Sequence, residues 1–213
     1  MKATAVLPVK RFAAAKQRLA PGIGATHRAE LAAAMLEDVL EAIAAARSIE
    51  RTIVVSSEPR AIELATAGGA ELVPDPDVDG HSGAALAGIT RAQELGAERV
   101  VLLPIDCPLL APRELERLLT GMPERYVAIV PDRHRTGTNA LALAPPDAIE
   151  PSFGEGSCAR HVAAARAAGI PFGVEELPSL ALDLDTPADI VALTMALERD
   201  KRRAKRTAKA LGI

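Results

Sequence analysis

The chain has 213 residues, 49% of them hydrophobic but only 2% aromatic, so one domain with a core of Ala, Leu, Val and Ile is expected. With one Tyr and no Trp it offers no base-stacking platform, so no nucleic-acid partner is expected, and no apolar run approaches the roughly 18 residues that span a bilayer. The net charge of −3 hides an asymmetry: residues 198–213 carry a net +5, leaving the remainder near −8.

That basic end suits an acidic partner or a solvated helix end that frays, and it is set apart from a single domain spanning residues 1–197. The N-terminus is interrupted by Pro8 too soon for a signal peptide, and the two cysteines, Cys107 and Cys158, have no metal-type spacing. A cytoplasmic protein is the expectation, monomeric or homodimeric.

Strand-like and helix-like segments alternate, the signature of βαβ units and a mainly parallel sheet. Residues 3–7 read as a short apolar strand. The loop after it, residues 8–19, holds Lys10, Arg11, Lys16 and Arg18. There it can wrap a triphosphate, with Lys10, Lys16 and Arg18 neutralising charge on the α-phosphate and the departing pyrophosphate. An ordinary basic surface turn has the same composition. The glycines and Gly-Lys-Ser/Thr ending of a Walker loop are missing.

Residues 26–47 predict an amphipathic helix with Leu31, Met35, Val39, Leu40 and Ile43 on one face. A strand follows at 52–56, a helix at 59–67 stopped by Gly68 and Gly69, and a strand at 70–73. Residues 74–83 read as a loop and 84–95 as a helix. The next strand, 99–103, runs into Pro104-Ile105-Asp106-Cys107-Pro108. Open α/β sheets bind ligands at the carboxyl ends of their strands, so Asp106 stands where a phosphate-bound metal would sit, unless it merely caps the helix predicted at 112–119.

A strand at 126–130 precedes a stretch, 132–160, without clear periodicity. Within it Thr136, Gly137 and Thr138 offer donors to an anion, and Gly154, Gly156 and Ser157 lead into a helix whose start suits a carboxylate or phosphate, with Ser157 as the expected N-cap. His161, one turn on, is either a ligand contact or a surface residue. After a helix at 159–168 and a strand at 172–176 comes Leu182-Asp183-Leu184-Asp185-Thr186-Pro187, which opens the last helix. Carboxylates spaced i, i+2 on an extended segment share a side. Asp183 and Asp185 with Asp106 can make the all-oxygen site that Mg²⁺ prefers, although Asp185 also suits a helix cap. Cys107 has no histidine in evident triad context and reads as a small buried hydrophobe.

The motifs Pro-Val-Lys-x₅-Lys-x-Arg-Leu (8–19), Asp-Cys-Pro-Leu-Leu (106–110), Pro-Asp-Arg-x-x-Thr-Gly-Thr-Asn-Ala-Leu (131–141), Phe-Gly-x-Gly-Ser-x-x-x-His (153–161) and Asp-x-Asp-Thr-Pro-x-Asp (183–189) occur in that order. Together they resemble the guanylyltransferases of F-420 coenzyme biosynthesis, which act on phosphoenolpyruvate or 2-phospho-L-lactate. The resemblance covers residues 3–195, and Ile105 and Ser82-Gly83 depart from its usual Gly and Leu-Asn. It implies a Rossmann-like three-layer α/β/α sandwich with a mainly parallel mixed sheet, similar to nucleotide-diphospho-sugar transferases. It further implies Mg²⁺ held by Asp106, Asp183 and Asp185, the phosphorylated acid at Thr138, Gly154 and Ser157, and Lys10, Lys16 and Arg18 near the phosphates of GTP. A downstream transferase would then take the product. A nucleotidyltransferase for a molybdopterin or sugar phosphate, and a catalytically silent nucleotide-binding module, are the alternatives.

Overall fold

Every second residue of the first strand, β1 (Ala3–Val9), is drawn to the same side of the sheet, because side chains alternate along extended backbone. Ala3, Ala5, Leu7 and Val9 join one buried cluster, while Val6 joins a second on the opposite face. A strand buried on both faces needs helices above and below it, and the chain supplies them. The computed structural model describes residues 2–12, 24–200 and 202–213.

Among these, the further strands are β2 (Ile49–Ser56), β3 (Glu71–Val73), β4 (Val100–Leu102), β5 (Tyr126–Pro131), β6 (Thr138–Ala144) and β7 (Phe172–Val174). The helices are α1 (Ala25–Ala44), α2 (Pro59–Ala67), α3 (Gly80–Glu94), α4 (Pro112–Thr120), α5 (Ser157–Ala167), α6 (Pro187–Arg199) and α7 (Lys205–Leu211). The strands lie in the order β3-β2-β1-β4-β6-β5-β7. All neighbours are parallel except β6, which runs antiparallel to both β4 and β5.

Buried residues of α1, α2, α4 and α6 cover one face, and those of α3 and α5 the other. This is the expected three-layer α/β/α sandwich. The close approach of α3 to the sheet depends on Gly88, where a Cβ would stand 2.3 Å from a Val6 methyl.

Two elements differ from expectation. β6 was hidden within 132–160 because Ala140 to Ala144 are buried on both faces, which removes the polar alternation that announces a strand. Helix α3 begins at Gly80, four residues early, which carries His81 and Ser82 into its first turn.

The basic C-terminal stretch also departs from a fraying helix end. Residues 205–211 form α7, and its partner is the acidic face of α1. Ala204 at its N-cap has a left-handed backbone and no side-chain cap. Asp38 of α1 supplies one instead: its Oδ2 accepts from Thr207 N at 2.8 Å and Thr207 Oγ1 at 2.7 Å, and its Oδ1 from Arg206 N at 3.2 Å. Arg206 pairs with Glu37 at 3.0 Å and with Glu41. Arg206 thus meets three carboxylates of α1 within the chain.

Asp38 and Thr207 are both buried, so removing the carboxylate orphans the Thr207 amide and hydroxyl and the Arg206 amide. Asp38→Ala is expected to cost about 2–4 kcal/mol. Thermal unfolding checks this, with a melting temperature lowered by about 5–10 °C and catalysis at 25 °C unchanged. Among the described residues no helix is long and apolar enough to cross a membrane.

Candidate active site

From β1 the chain moves outward to β2 and β3, then returns to β4 on the other side of β1. The crevice beyond the carboxyl ends of β1 and β4 is therefore a topological switch point, the usual ligand position in such sheets. A cavity of about 710 Å³ opens there. Asp106 lines it three residues beyond Leu103, whose amide extends the pairing with β1 by donating to Val6 O at 3.0 Å. Asp106 does not cap α4, since that place belongs to Ala111.

The distant acidic segment reaches the same cavity by a backbone bond. Leu184 N donates to Asp106 O at 3.0 Å, and the Leu184 side chain is fully buried. Its neighbours Asp183 and Asp185 therefore turn the other way, into the cavity. Asp185 is not the cap of α6. Thr186 is, in a capping box with Asp189. Asp189 Oδ2 accepts from Asp185 N at 3.0 Å, Thr186 N at 2.6 Å and Thr186 Oγ1 at 2.8 Å, and its Oδ1 lies 2.5 Å from the Arg133 guanidinium. Burial would raise the Asp189 pKa, but the donors from Thr186 and Asp185 and the charge of Arg133 outweigh it and hold the carboxyl below its usual range.

The β5–β6 loop and the start of α5 also line the cavity. Asp132 folds that loop, accepting from Thr136 N at 3.0 Å and Gly137 N at 2.9 Å. Burial opposes its ionisation, yet those donors hold the carboxyl low. Thr138, Gly154 and Ser157 all border the cavity, as the sequence reading expects. Ser157 is not the N-cap, however. Gly156 takes that place with φ 71°, and Ser157 is the first helical residue.

The Ser157 amide donates to Gly154 O at 3.0 Å and the Cys158 amide to Thr136 O at 3.2 Å, so both are already engaged. What this helix start offers a ligand is the Ser157 hydroxyl, 1% exposed and without a hydrogen-bond partner among the described residues. Arg160 shapes the preceding loop, with Nε 2.8 Å from Ser152 Oγ and Nη2 3.0 Å from the carbonyl oxygens of Ser152 and Phe153.

His161 is not a surface residue. It is fully buried, with Nδ1 3.0 Å from Thr138 Oγ1 and Nε2 2.9 Å from Ser152 N. Burial, aided by Arg160, lowers its pKa to about 4. The unfolded ring accepts a proton near pH 6.5 and the folded one only near 4. Stability from this group is therefore complete above about pH 6.5 and is lost as pH falls toward 4, by about 3 kcal/mol in all. Urea unfolding at pH 7 and pH 4.5 checks this: the loss should shrink by most of that amount in His161→Asn.

Lys10 is held by Asp75, with Nζ 2.9 and 2.7 Å from its two carboxylate oxygens, and lies near enough to His81 to oppose its protonation. Lys16 and Arg18 lie outside the described residues. His81, Arg133 and Phe153 also border the cavity, and sequence reasoning passed over their side chains. Burial foremost holds the His81 ring below its usual pKa, with Lys10 adding to this and Asp106 and Asp75 opposing it. His81 and Phe153 meet edge to face at 5.1 Å, and Ser82 Oγ accepts from Phe153 N at 2.9 Å. Only the first turn of α3 brings them here, and that turn was read as loop.

Among the described residues no group of three or more His, Cys, Asp or Glu is close enough to hold a metal unaided. The donor chemistry nevertheless fits Mg²⁺, which takes one or two carboxylates and completes its shell with water and substrate phosphates. Asp106, Asp183 and Asp185 are carboxylates lining one cavity and would be the residues to hold it.

A cavity lined by carboxylates and hydroxyls thus lies at the switch point of a Rossmann-like α/β fold. The same fold is found in a Desulfovibrio desulfuricans structure described as a nucleotide-diphospho-sugar transferase, which superposes with a TM-score of 0.79 at 18% identity, over 99% of this chain and 94% of that one. The family described as "Guanylyl transferase CofC like" matches residues 3–213, and the chain belongs to it. Relatives include the phosphoenolpyruvate guanylyltransferases of Conexibacter woesei, 47% identical over 91% of this chain and 87% of its own length, and Sphaerobacter thermophilus, 42% identical over 91% and 93%. The 3-phospho-D-glycerate guanylyltransferase of Phenylobacterium zucineum is 36% identical over 89% of this chain and 88% of its own.

Proposed function

We propose that this protein moves GMP from GTP onto phosphoenolpyruvate, with Mg²⁺ as cofactor, making an activated precursor for F-420 biosynthesis. The observation that supports the reading is that one cavity is lined both by the carboxylates of Asp106, Asp183 and Asp185 and by Thr138 and the buried Ser157, whose hydroxyl has no hydrogen-bond partner among the described residues.

A carboxylate wall repels a triphosphate unless a cation intervenes, and bound Mg²⁺ would supply that charge and orient the α-phosphate. The hydroxyls of Thr138 and Ser157 hold the small anionic acid. Its phosphate oxygen attacks the α-phosphorus of GTP, the bond from that phosphorus to the bridging oxygen of the β-phosphate breaks, and pyrophosphate leaves. The attacking phosphate is already ionised at neutral pH, so no general base is required. Catalysis is then positioning and charge neutralisation, to which Lys10 contributes once it exchanges Asp75 for the triphosphate.

Phosphoenolpyruvate is favoured over 3-phosphoglycerate because the 47% and 42% identical relatives carry the former name and the 36% identical one the latter. The test is pyrophosphate release from GTP with phosphoenolpyruvate, 2-phospho-L-lactate or 3-phosphoglycerate, with ATP and CTP as controls. The reading expects GTP with phosphoenolpyruvate to be fastest and EDTA to abolish release. Preference for another acid would overturn the acceptor, and undiminished activity in EDTA the metal.

A further inference from the structure

His161 is a fully buried titratable ring beside the site to which this chemistry gives no part. Its Nε2 lies 2.9 Å from Ser152 N, and a backbone N–H can only donate, so Nε2 carries a lone pair. The ring is enclosed by protein and carries no charge at neutral pH. A neutral imidazole with a bare Nε2 keeps its single proton on Nδ1. Nδ1 is 3.0 Å from Thr138 Oγ1, so the ring is the donor in that contact and the threonine oxygen the acceptor.

The Thr138 hydroxyl proton then has no place on the ring and must point elsewhere, and Thr138 borders the cavity. With the opposite tautomer, Thr138 would donate to the ring and turn only lone pairs toward a ligand, which repel an anion. Phe153, edge to face with the ring at 5.4 Å and 74°, fixes its plane.

We propose that His161 is a positioning residue that donates to Thr138 Oγ1 and so commits the Thr138 hydroxyl to donate to an anionic oxygen of the phosphorylated acid. This rests on the reading above that the acid sits at Thr138 and Ser157. Through the hydroxyl it orients, the ring selects for a negatively charged acceptor without touching it.

The test is a double-mutant cycle read as KM for the acid. Thr138→Val and His161→Phe should each raise that KM about tenfold, with KM for GTP changed less than about twofold. The double variant should also stand near tenfold, rather than the roughly hundredfold of independent effects. His161→Asn should restore KM to within about threefold of wild type, because its amide can donate to Thr138 while its oxygen accepts from Ser152. Multiplying effects, or an unchanged KM for the acid in His161→Phe, would overturn the proposal.

Should His161→Phe fail to fold, ¹⁵N-histidine spectra of the wild-type protein decide the tautomer directly. A protonated Nδ1 with a bare Nε2 is expected, and the reverse would overturn the proposal. That readout needs no turnover, so a wild-type protein silent with every acid would defeat the acceptor assignment while leaving the tautomer test intact.

Discussion

Asp106→Asn is expected to lower the rate of guanylyl transfer by about 10²–10³-fold while moving the melting temperature by no more than a few degrees. The substitution keeps the shape of the side chain and removes its charge. It leaves the backbone carbonyl of residue 106 to accept from Leu184 N, so Asp183 and Asp185 should stay in place. On the proposed reading, what is lost is the negative charge that Asp106 would bring to a bound cation, where charge would pass to the departing pyrophosphate. The loss should fall on kcat, because that charge grows only in the transition state. Steady-state kinetics beside a melting curve separates this from unfolding. Near-normal turnover with a normal melting curve would remove Asp106 from the chemistry.

Asp189→Ala should produce the largest loss of stability, about 3–5 kcal/mol, seen as a melting temperature lower by about 10 °C. Asp189 is 2% exposed and does three jobs at once. It completes the capping box of α6, receives the amide of Asp185, and pairs with Arg133 of the β5–β6 loop. Removing it leaves two amides and a guanidinium short of a partner, which costs more than a surface ion pair of the same length. It also frees Asp185 and the Arg133 loop to drift apart, so activity should fall more than about tenfold even below the melting range, since small misplacements in a positioning enzyme are costly. Asp189→Asn retains the shape and one acceptor, and should lose roughly half as much stability by the same reasoning. Calorimetry on both variants checks the order.

The alternation of strands and helices, and with it a mainly parallel sheet, was legible because strands such as β2 and helices such as α1 and α2 announce themselves by period and by their stops, while the three-layer sandwich was implied by the family resemblance. The place of Asp106 and the shared side of Asp183 and Asp185 were legible from strand-end position and i, i+2 spacing, but that the two distant segments line one cavity depends on the backbone bond from Leu184 to Asp106. β6 was not legible, because a segment buried on both faces shows no alternation. His161 was misread because one histidine in a helix start says nothing of the amide and hydroxyl that enclose it. The same holds for Asp189. Its spacing from Thr186 marks a capping box, but its ion pair with Arg133 depends on two segments more than fifty residues apart being folded together. The basic end looked like a tail because its partners, Glu37, Asp38 and Glu41, lie far earlier in the chain.

The most direct measurement is the identity of the product, followed by ³¹P NMR during reaction of the wild-type protein with GTP, Mg²⁺ and phosphoenolpyruvate. The account predicts one new species, GMP joined to the phosphorylated acid through a P–O–P bridge, formed in step with one pyrophosphate. Free GMP and pyrophosphate with no bridged conjugate would contradict it, as would a conjugate formed from CTP or ATP but not from GTP.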